Sequence, residues 1–317
     1  MTAPVALLIY ALVVSLAGIR LLPQADWPQR SPRLGILAWQ GLTASVVVAV
    51  LLAGLALALP TMPITGDLAD LLHACAIALR EHYATPGGAV VASAGALLAA
   101  AVTGRATYAF AHYWSTARRH RTTQRRGLDM VAHRHMGSGV LVDHPTPAAY
   151  CIPGRRREVV FTSAAMAALD GRQMDAVLAH EQAHLRSRHD LVLAAAGALQ
   201  AAFPFIPVFG VALAELARLI EMHADDKALG GRDRRVLATA LVRLADSASP
   251  IGSLGAGGES ALARVRRLVQ PARPLGMVGS VAAVAATLTM VAIPLVIAVA
   301  PAFAAAAMDY CPVGFPT

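Results

Sequence analysis

The residues with the clearest chemical potential form a short motif near the middle of the chain, His180-Glu181-Gln182-Ala183-His184. Two histidines four residues apart lie one turn from each other on the same face of a helix, so both can bind one metal ion. The glutamate that follows the first histidine can then act as a general base on a water beside that metal. This H-E-x-x-H arrangement is typical of zinc metallopeptidases, and it predicts a Zn²⁺ cofactor.

A catalytic zinc site needs a third protein ligand, which the motif does not provide. Glu221 is the best candidate, because it lies on a second predicted helix that follows the motif. Asp225 comes one turn later on the same face and can accept the free ring N–H of a zinc-bound histidine. His189 and His223 lie near these residues and are candidates for oxyanion or substrate contacts, although such histidines are more often solvated on the surface.

The composition is that of an integral membrane protein. Of the 317 residues, 56% are hydrophobic and only 15% are charged, which is too apolar for an ordinary soluble enzyme. The net charge of +8 could indicate nucleic-acid binding, but the arginines cluster beside long apolar runs, as topology determinants do. We therefore expect a lipid bilayer as a partner and no direct contact with nucleic acid.

Four apolar stretches are long enough to cross a bilayer, which needs about 20 residues. They cover residues 3–22, 34–59, 89–113 and 277–300. A dense basic cluster follows the third stretch at residues 118–126, and the positive-inside rule places such a cluster in the cytoplasm. This predicts a multi-pass protein of the cell membrane, with both termini outside and the metal motif in the cytoplasm.

We expect three units: spans at 1–114, a soluble metallopeptidase domain at 115–275, and a last span with an external tail at 276–317. Within the middle unit, residues 191–213 are again apolar, but two crossings would need about 40 residues. A single crossing would put the third-ligand helix on the opposite side of the membrane from His180. The segment therefore predicts a helical hairpin that returns to the same side, either embedded in the membrane or buried in the soluble domain.

The smaller elements predict a mixed α+β domain. Short strands are expected at 139–143, 149–153 and 158–162. Ser163 is expected to cap a short helix, and the helix that carries the motif is expected to start near Gln173. Downstream, residues 260–269 predict a basic amphipathic helix that leads toward the membrane, with Arg264 to Arg267 exposed. A further short helix is expected at 68–82, in the loop before the third span.

Four segments of the soluble part are similar to a known group of membrane peptidases. They are Ala149-Tyr150-Cys151-Ile152-Pro153-Gly154, Val159-Val160-Phe161-Thr162-Ser163, Ala176 to His184, and Glu221 to Ala228. The group is the BlaR/MecR-type family of integral-membrane zinc metallopeptidases, which are gluzincin-like and related to the Ste24/HtpX-type membrane peptidases. The resemblance implies a mainly α membrane protein with about four transmembrane helices and a cytoplasmic gluzincin-like α+β metallopeptidase domain. It also implies removal of a winged-helix repressor in antibiotic-resistance signalling.

The sequence departs from that family at its C-terminal end. Family sensors carry an external penicillin-binding domain with a Ser-x-x-Lys nucleophile after the fourth span, whereas the tail from Pro301 onward has no serine and no lysine. We therefore expect no acylation by a β-lactam in the family's manner. Cys75 and Cys311 both fall in external segments and could pair in an oxidising environment, or they could be two unrelated thiols.

The leading hypothesis is a membrane-anchored zinc endopeptidase that hydrolyses a cytoplasmic protein, such as a transcriptional repressor. Two alternatives remain open. One is a housekeeping protease that clears damaged membrane proteins, and the other is a catalytically silent, metal-bound signalling scaffold. Oligomerisation is compatible with each of the three.

Overall fold

The computed structural model describes residues 2–58, 88–136, 139–154, 157–231, 233–248, 256–270 and 274–307. The helix expected at 68–82 and the pairing of Cys75 with Cys311 lie outside these residues. Within them, the chain is mainly helical and contains one small sheet.

The helices and strands follow one another along the chain in three groups. The first group is α1 (Thr2–Leu21), α2 (Trp27–Arg30), α3 (Pro32–Ala58) and α4 (Gly88–Val131). The second group is β1 (Ala132–Met136), β2 (Gly139–Val142), β3 (Ala149–Ile152), β4 (Glu158–Thr162), α5 (Ser163–Ala168) and α6 (Gly171–Ser187). The third group is α7 (His189–Ala202), α8 (Pro207–Leu229), α9 (Arg234–Ala248), α10 (Ala256–Val269) and α11 (Met277–Ala307).

Four of the described helices, α1, α3, α4 and α11, are long and apolar enough to cross a membrane. They confirm the four predicted spans. The third of them is much longer than a span, because α4 extends over 44 residues, about 66 Å at 1.5 Å per residue. The basic cluster at 118–126 therefore lies on the same continuous helix as the apolar stretch before it.

The spans pack around α3, which contacts α1, α4 and α11. At the contact with α4, a Cβ atom on Gly95 would lie 2.4 Å from Leu57 Cβ, so only glycine lets the two backbones come this close. On α11, Pro294 has no N–H for the carbonyl of Met290. The hydroxyls of Tyr10 and Ser45 donate to that carbonyl instead, which satisfies a polar group where water is scarce.

The predicted hairpin is formed by α7 and the first half of α8. The chain turns after Ala202, whose carbonyl accepts a 2.8 Å hydrogen bond from Arg105 Nε on α4. The hairpin packs against α1, α3 and α4, and its buried side chains join the apolar cluster of the spans. The prediction that the third-ligand helix is separate from the hairpin is wrong, because α8 is continuous from Pro207 to Leu229. Its proline occupies the first turn, where a missing N–H costs nothing.

The sheet has the order β1-β2-β4-β3, with β2 parallel to β4 and the other pairs antiparallel. The three predicted strands are present, and β1 is an additional strand that we did not predict. Strand β3 lies at an edge of the sheet and packs beside α6.

The helix caps differ from the prediction by one or two residues. Thr162, and not Ser163, caps α5: its hydroxyl accepts from the backbone N–H of Ala165, while Ser163 donates to Asp143. Helix α6 begins at Gly171 because Asp170 and Gln173 form a reciprocal capping box. Gln173 is thus the closing residue of the cap and not the start of the helix.

Candidate metal centre

Helix α6 presents both motif histidines toward α8. Its residues Ala176, Val177 and Ala183 are buried against the rest of the soluble part, which fixes the rotation of the helix. His180 Nε2 and His184 Nε2 consequently lie 3.1 Å apart.

Helix α8 places Glu221 opposite this pair. Its Oε2 lies 3.5 Å from His180 Nε2, and its Oε1 lies 3.5 Å from His184 Nε2. Two ligand atoms of one tetrahedral zinc ion, each about 2.0–2.1 Å from it, are about 3.3 Å apart. The three donors match that spacing, and two imidazoles with one carboxylate are a usual donor set for catalytic zinc.

Asp225 lies directly behind His180. Its Oδ1 is 3.0 Å from His180 Nδ1, and its side chain is only 1% exposed. A carboxylate in this place can hold the proton on Nδ1 and leave Nε2 free for a metal. Burial raises the pKa of Asp225, but hydrogen bonds from Arg264 and His180 outweigh that effect and lower the pKa to about 2.

Arg264 reaches the centre from α10. Its Nε and Nη2 donate to the two oxygens of Asp225 at 2.9 and 2.7 Å. Its Nη1 lies 2.9 Å from Glu221 Oε2, and the side chain is 11% exposed. The expectation that Arg264 to Arg267 form an exposed cluster is wrong, because Arg264 is drawn inward by these carboxylates and Arg267 pairs with Asp226.

Glu181 faces a cavity of about 240 Å³ beside the three donors. The cavity is polar at His180, Glu181, Glu221 and Arg264, and its other walls are apolar side chains. Burial raises the pKa of Glu181. Cys151 of the edge strand is hydrogen-bonded to Glu181, and burial raises the pKa of that thiol to about 12, so the thiol stays protonated at neutral pH.

The pKa values of the two candidate histidine donors shift in opposite directions because their partners differ. Burial lowers the pKa of His180, but Asp225 and Glu221 outweigh it and raise the pKa to about 9. Burial lowers the pKa of His184 to about 4, with the carboxylate of Glu221 opposing this effect. Burial also raises the pKa of Glu221, but His180 and Arg264 lower it to about 2. The carboxylate of Glu221 is therefore ionised at neutral pH.

The remaining predicted residues, His189 and His223, lie on the far side of His184. His189 Nδ1 is 3.0 Å from His184 Nδ1, and His189 Nε2 is 2.9 Å from His223 Nδ1. Neither residue is among the described residues that line the cavity. This geometry orients the His184 ring and does not bring the two histidines to the place where an oxyanion would develop.

Sequence reasoning missed Arg264 and the thiol of Cys151 as members of the centre. The signal for Arg264 was weak, because an arginine on a basic amphipathic helix has the same local pattern whether it faces lipid headgroups or a buried carboxylate. A pair of acidic residues one turn apart, such as Glu221 and Asp225, could have indicated that a cation is needed nearby.

Residues 114–251 match the family model described as "Peptidase family M48". The matched region begins within α4 and ends after α9, so it contains all three candidate metal donors and Glu181. No curated protein and no solved structure matches the chain.

Proposed function

We propose that the protein is a membrane-anchored zinc endopeptidase, because residues 114–251 match the model of peptidase family M48. The observation that carries this proposal is the cluster of His180, His184 and Glu221, two of which, His180 and Glu221, line one cavity together with Glu181. His180 and Glu181 come from α6, and Glu221 comes from α8. The four side chains supply the donors and the base that metal-assisted hydrolysis of an amide requires.

In this proposal, His180, His184 and Glu221 would hold a zinc ion, which would supply Lewis-acid polarisation of the scissile carbonyl and a lowered pKa of a water. Glu181 accepts a proton from the attacking water as the C–O bond forms. Glu181 then delivers a proton to the amide nitrogen as the C–N bond breaks, which releases an amine and a carboxylic acid. The raised pKa of Glu181 supports both steps, because a general acid and base works best when its pKa lies near the working pH.

The cavity suggests how a peptide is held. Val177, Leu237 and Leu241 form an apolar wall that can accept an apolar side chain of the substrate. Ala149 of the edge strand β3 also lines the cavity. An extended peptide that adds to this edge would bring one of its carbonyls to the metal donors. We therefore propose a substrate segment that is unfolded or locally extended.

We propose that the centre faces the cytoplasm and that the substrate is a cytoplasmic protein, such as a winged-helix transcriptional repressor. The basic residues of α4 between 118 and 126 support this orientation, since such clusters stay on the cytoplasmic side. The resemblance to the BlaR/MecR type supports a regulator as the substrate.

The test is Glu181→Gln in the full-length protein, purified in detergent and assayed on an unfolded protein such as casein and on a candidate repressor. We expect hydrolysis to fall by at least about 100-fold, because the general base is removed, while bound zinc per chain is unchanged. Glu158→Gln, on strand β4 away from the cavity, is the matched control.

Two outcomes would redirect the proposal. A wild-type protein that binds zinc but cleaves neither substrate, with Glu181→Gln unchanged in cells, would indicate the signalling scaffold. Cleavage of unfolded proteins without cleavage of the repressor would indicate the housekeeping protease.

A further inference from the structure

Among the described residues, Arg264 is the one arginine that contacts both carboxylates of α8 in the metal centre. Two nitrogens of its planar guanidinium group donate hydrogen bonds to Asp225, and the third nitrogen contacts Glu221. Nη2 also lies 3.5 Å from His180 Nε2. One side chain thus contacts two candidate metal donors and the carboxylate that orients one of them.

We propose that Arg264 is a positioning residue of the metal centre. It fixes the Asp225 carboxylate, which in turn fixes the His180 ring, and it holds Glu221 at the same time. This inference rests on the proposed function, because it assigns Arg264 to the metal centre of that enzyme. Neither the match to peptidase family M48, which ends at residue 251, nor the H-E-x-x-H motif contains this residue.

The chemistry of the contacts requires an arginine. Two parallel N–H···O bonds to one carboxylate need a guanidinium fork, which the single ammonium of lysine cannot reproduce. The centre also gathers three carboxylates, Glu181, Glu221 and Asp225, in a mostly buried space. A buried cation offsets part of their mutual repulsion.

A second arginine on the same helix provides an internal comparison. Arg267 lies three residues after Arg264 and pairs with Asp226, which follows Asp225, through two contacts of 2.7 and 2.8 Å. Asp226 is 35% exposed and makes no described contact with the motif histidines. The two pairs share helices and chemistry, and they differ in whether a metal donor lies behind the aspartate.

Helix α10 is held in place independently of Arg264. Arg234 donates to the carbonyls of Arg267 and Leu268, and Arg267 donates to the carbonyl of Gln29 in α2. Leu268 is fully buried in an apolar cluster with Leu237. Substitution of Arg264 therefore leaves α10 attached, and its effect on the centre can be measured in a folded protein.

The experiment compares Arg264→Lys with Arg267→Lys in the full-length protein in detergent. Zinc affinity is measured by competition with a chelator, and thermal unfolding is followed in parallel. We expect Arg264→Lys to weaken zinc binding by about 10- to 100-fold, the usual effect of losing a partner that orients a ligand. Arg267→Lys should change zinc affinity by less than about threefold, since it touches no metal donor, although both exchanges leave the net charge unchanged.

A zinc affinity of Arg264→Lys equal to that of the wild type would overturn the proposal, even if hydrolysis fell. Should Arg264→Lys not fold, Arg264→Gln takes its place in a cycle with Asp225→Asn. Because Arg264 acts largely through Asp225, the double variant should bind zinc almost as well as the weaker single variant, and full additivity would count against the proposal. Failure of the wild type to bind zinc would instead reject the proposed function, so the two failures are distinguishable.

Discussion

The two halves of helix α8 lie in opposite environments. From Pro207 to Ile220 the helix is buried in the apolar cluster of the candidate spans, with Phe209 and Leu216 almost fully covered. From Glu221 onward the same helix carries the carboxylates of the metal centre and faces Arg264. Since one rigid helix joins the halves without a break, apolar packing in the first half fixes where the acidic side chains of the second half lie.

The two halves of α8 should therefore contribute to different properties of the protein. The first half should contribute mainly to the free energy of unfolding, because its apolar side chains are buried against the candidate spans. The second half should contribute mainly to metal binding and to its dependence on pH. Substitutions in each half therefore test whether stability and metal binding are separable along this helix.

The largest effect is expected for Glu221→Ala in the second half. Loss of a metal donor should weaken zinc binding by more than about 100-fold, the upper range for a residue that only orients a ligand, and should abolish hydrolysis. Zinc per chain after dialysis and hydrolysis of casein measure these effects. Glu215→Ala, in the first half of the same helix, is the control, because Glu215 pairs with Arg218 and not with the centre.

Next in size is Leu216→Ala in the first half. Leu216 is 1% exposed, and truncation of a buried leucine lowers the free energy of unfolding by about 2–5 kcal/mol. Denaturant or thermal unfolding in detergent measures the loss, and the zinc affinity of the folded fraction should stay near the wild-type value. A large fall in zinc affinity with unchanged stability would show that the two halves are not separable.

The smallest effect is the pH dependence that Asp225 adds to stability. Its pKa is about 2 in the folded protein, against 3.8 ordinarily. Because the folded-state pKa is the lower one, the ionised carboxylate favours folding above pH 4, and this contribution of about 2 kcal/mol is lost as pH falls from about 4 to about 2.

The measurement is the unfolding free energy of wild type and Asp225→Asn, both with a chelator, at pH 6 and near pH 2. The advantage of the wild type should shrink toward low pH. Asp226→Asn is the control on the same turn of α8, since it does not contact His180. An advantage that is independent of pH would contradict the assignment of the stabilisation to the charged form.

The parts of this protein that sequence could predict are those set by local patterns. The spans follow from long apolar runs, and the motif helix follows from its spacing. The one-turn separation of Glu221 and Asp225 is enough to place both on one face. The helix boundaries were less accurate because several residues near each start can cap, as Thr162 and Ser163 illustrate.

The parts that sequence could not predict depend on contacts between distant segments. Arg264 contacts Asp225 although the two residues are 39 positions apart in the sequence, and nothing in its own helix distinguishes it from Arg267. His189 lies against His184 because Arg188 adopts a left-handed conformation, with φ of 53°, between α6 and α7. For a non-glycine residue this is uncommon, and tertiary packing selects it. The continuity of α8 was missed because the helix passes from an apolar run that ends near residue 213 into a polar segment, and this change suggested two helices.

The distance between His180 and Arg264 in the chain, 84 positions, has a consequence for biosynthesis. A polypeptide emerges from the ribosome N-terminus first, so both histidines and Glu221 are available before α10 has been made. During that interval the carboxylates of α8 have no guanidinium from Arg264 beside them. The centre reaches its final charge balance only when α10 has been synthesised, which ties completion of the centre to the synthesis of the segment that leads into α11.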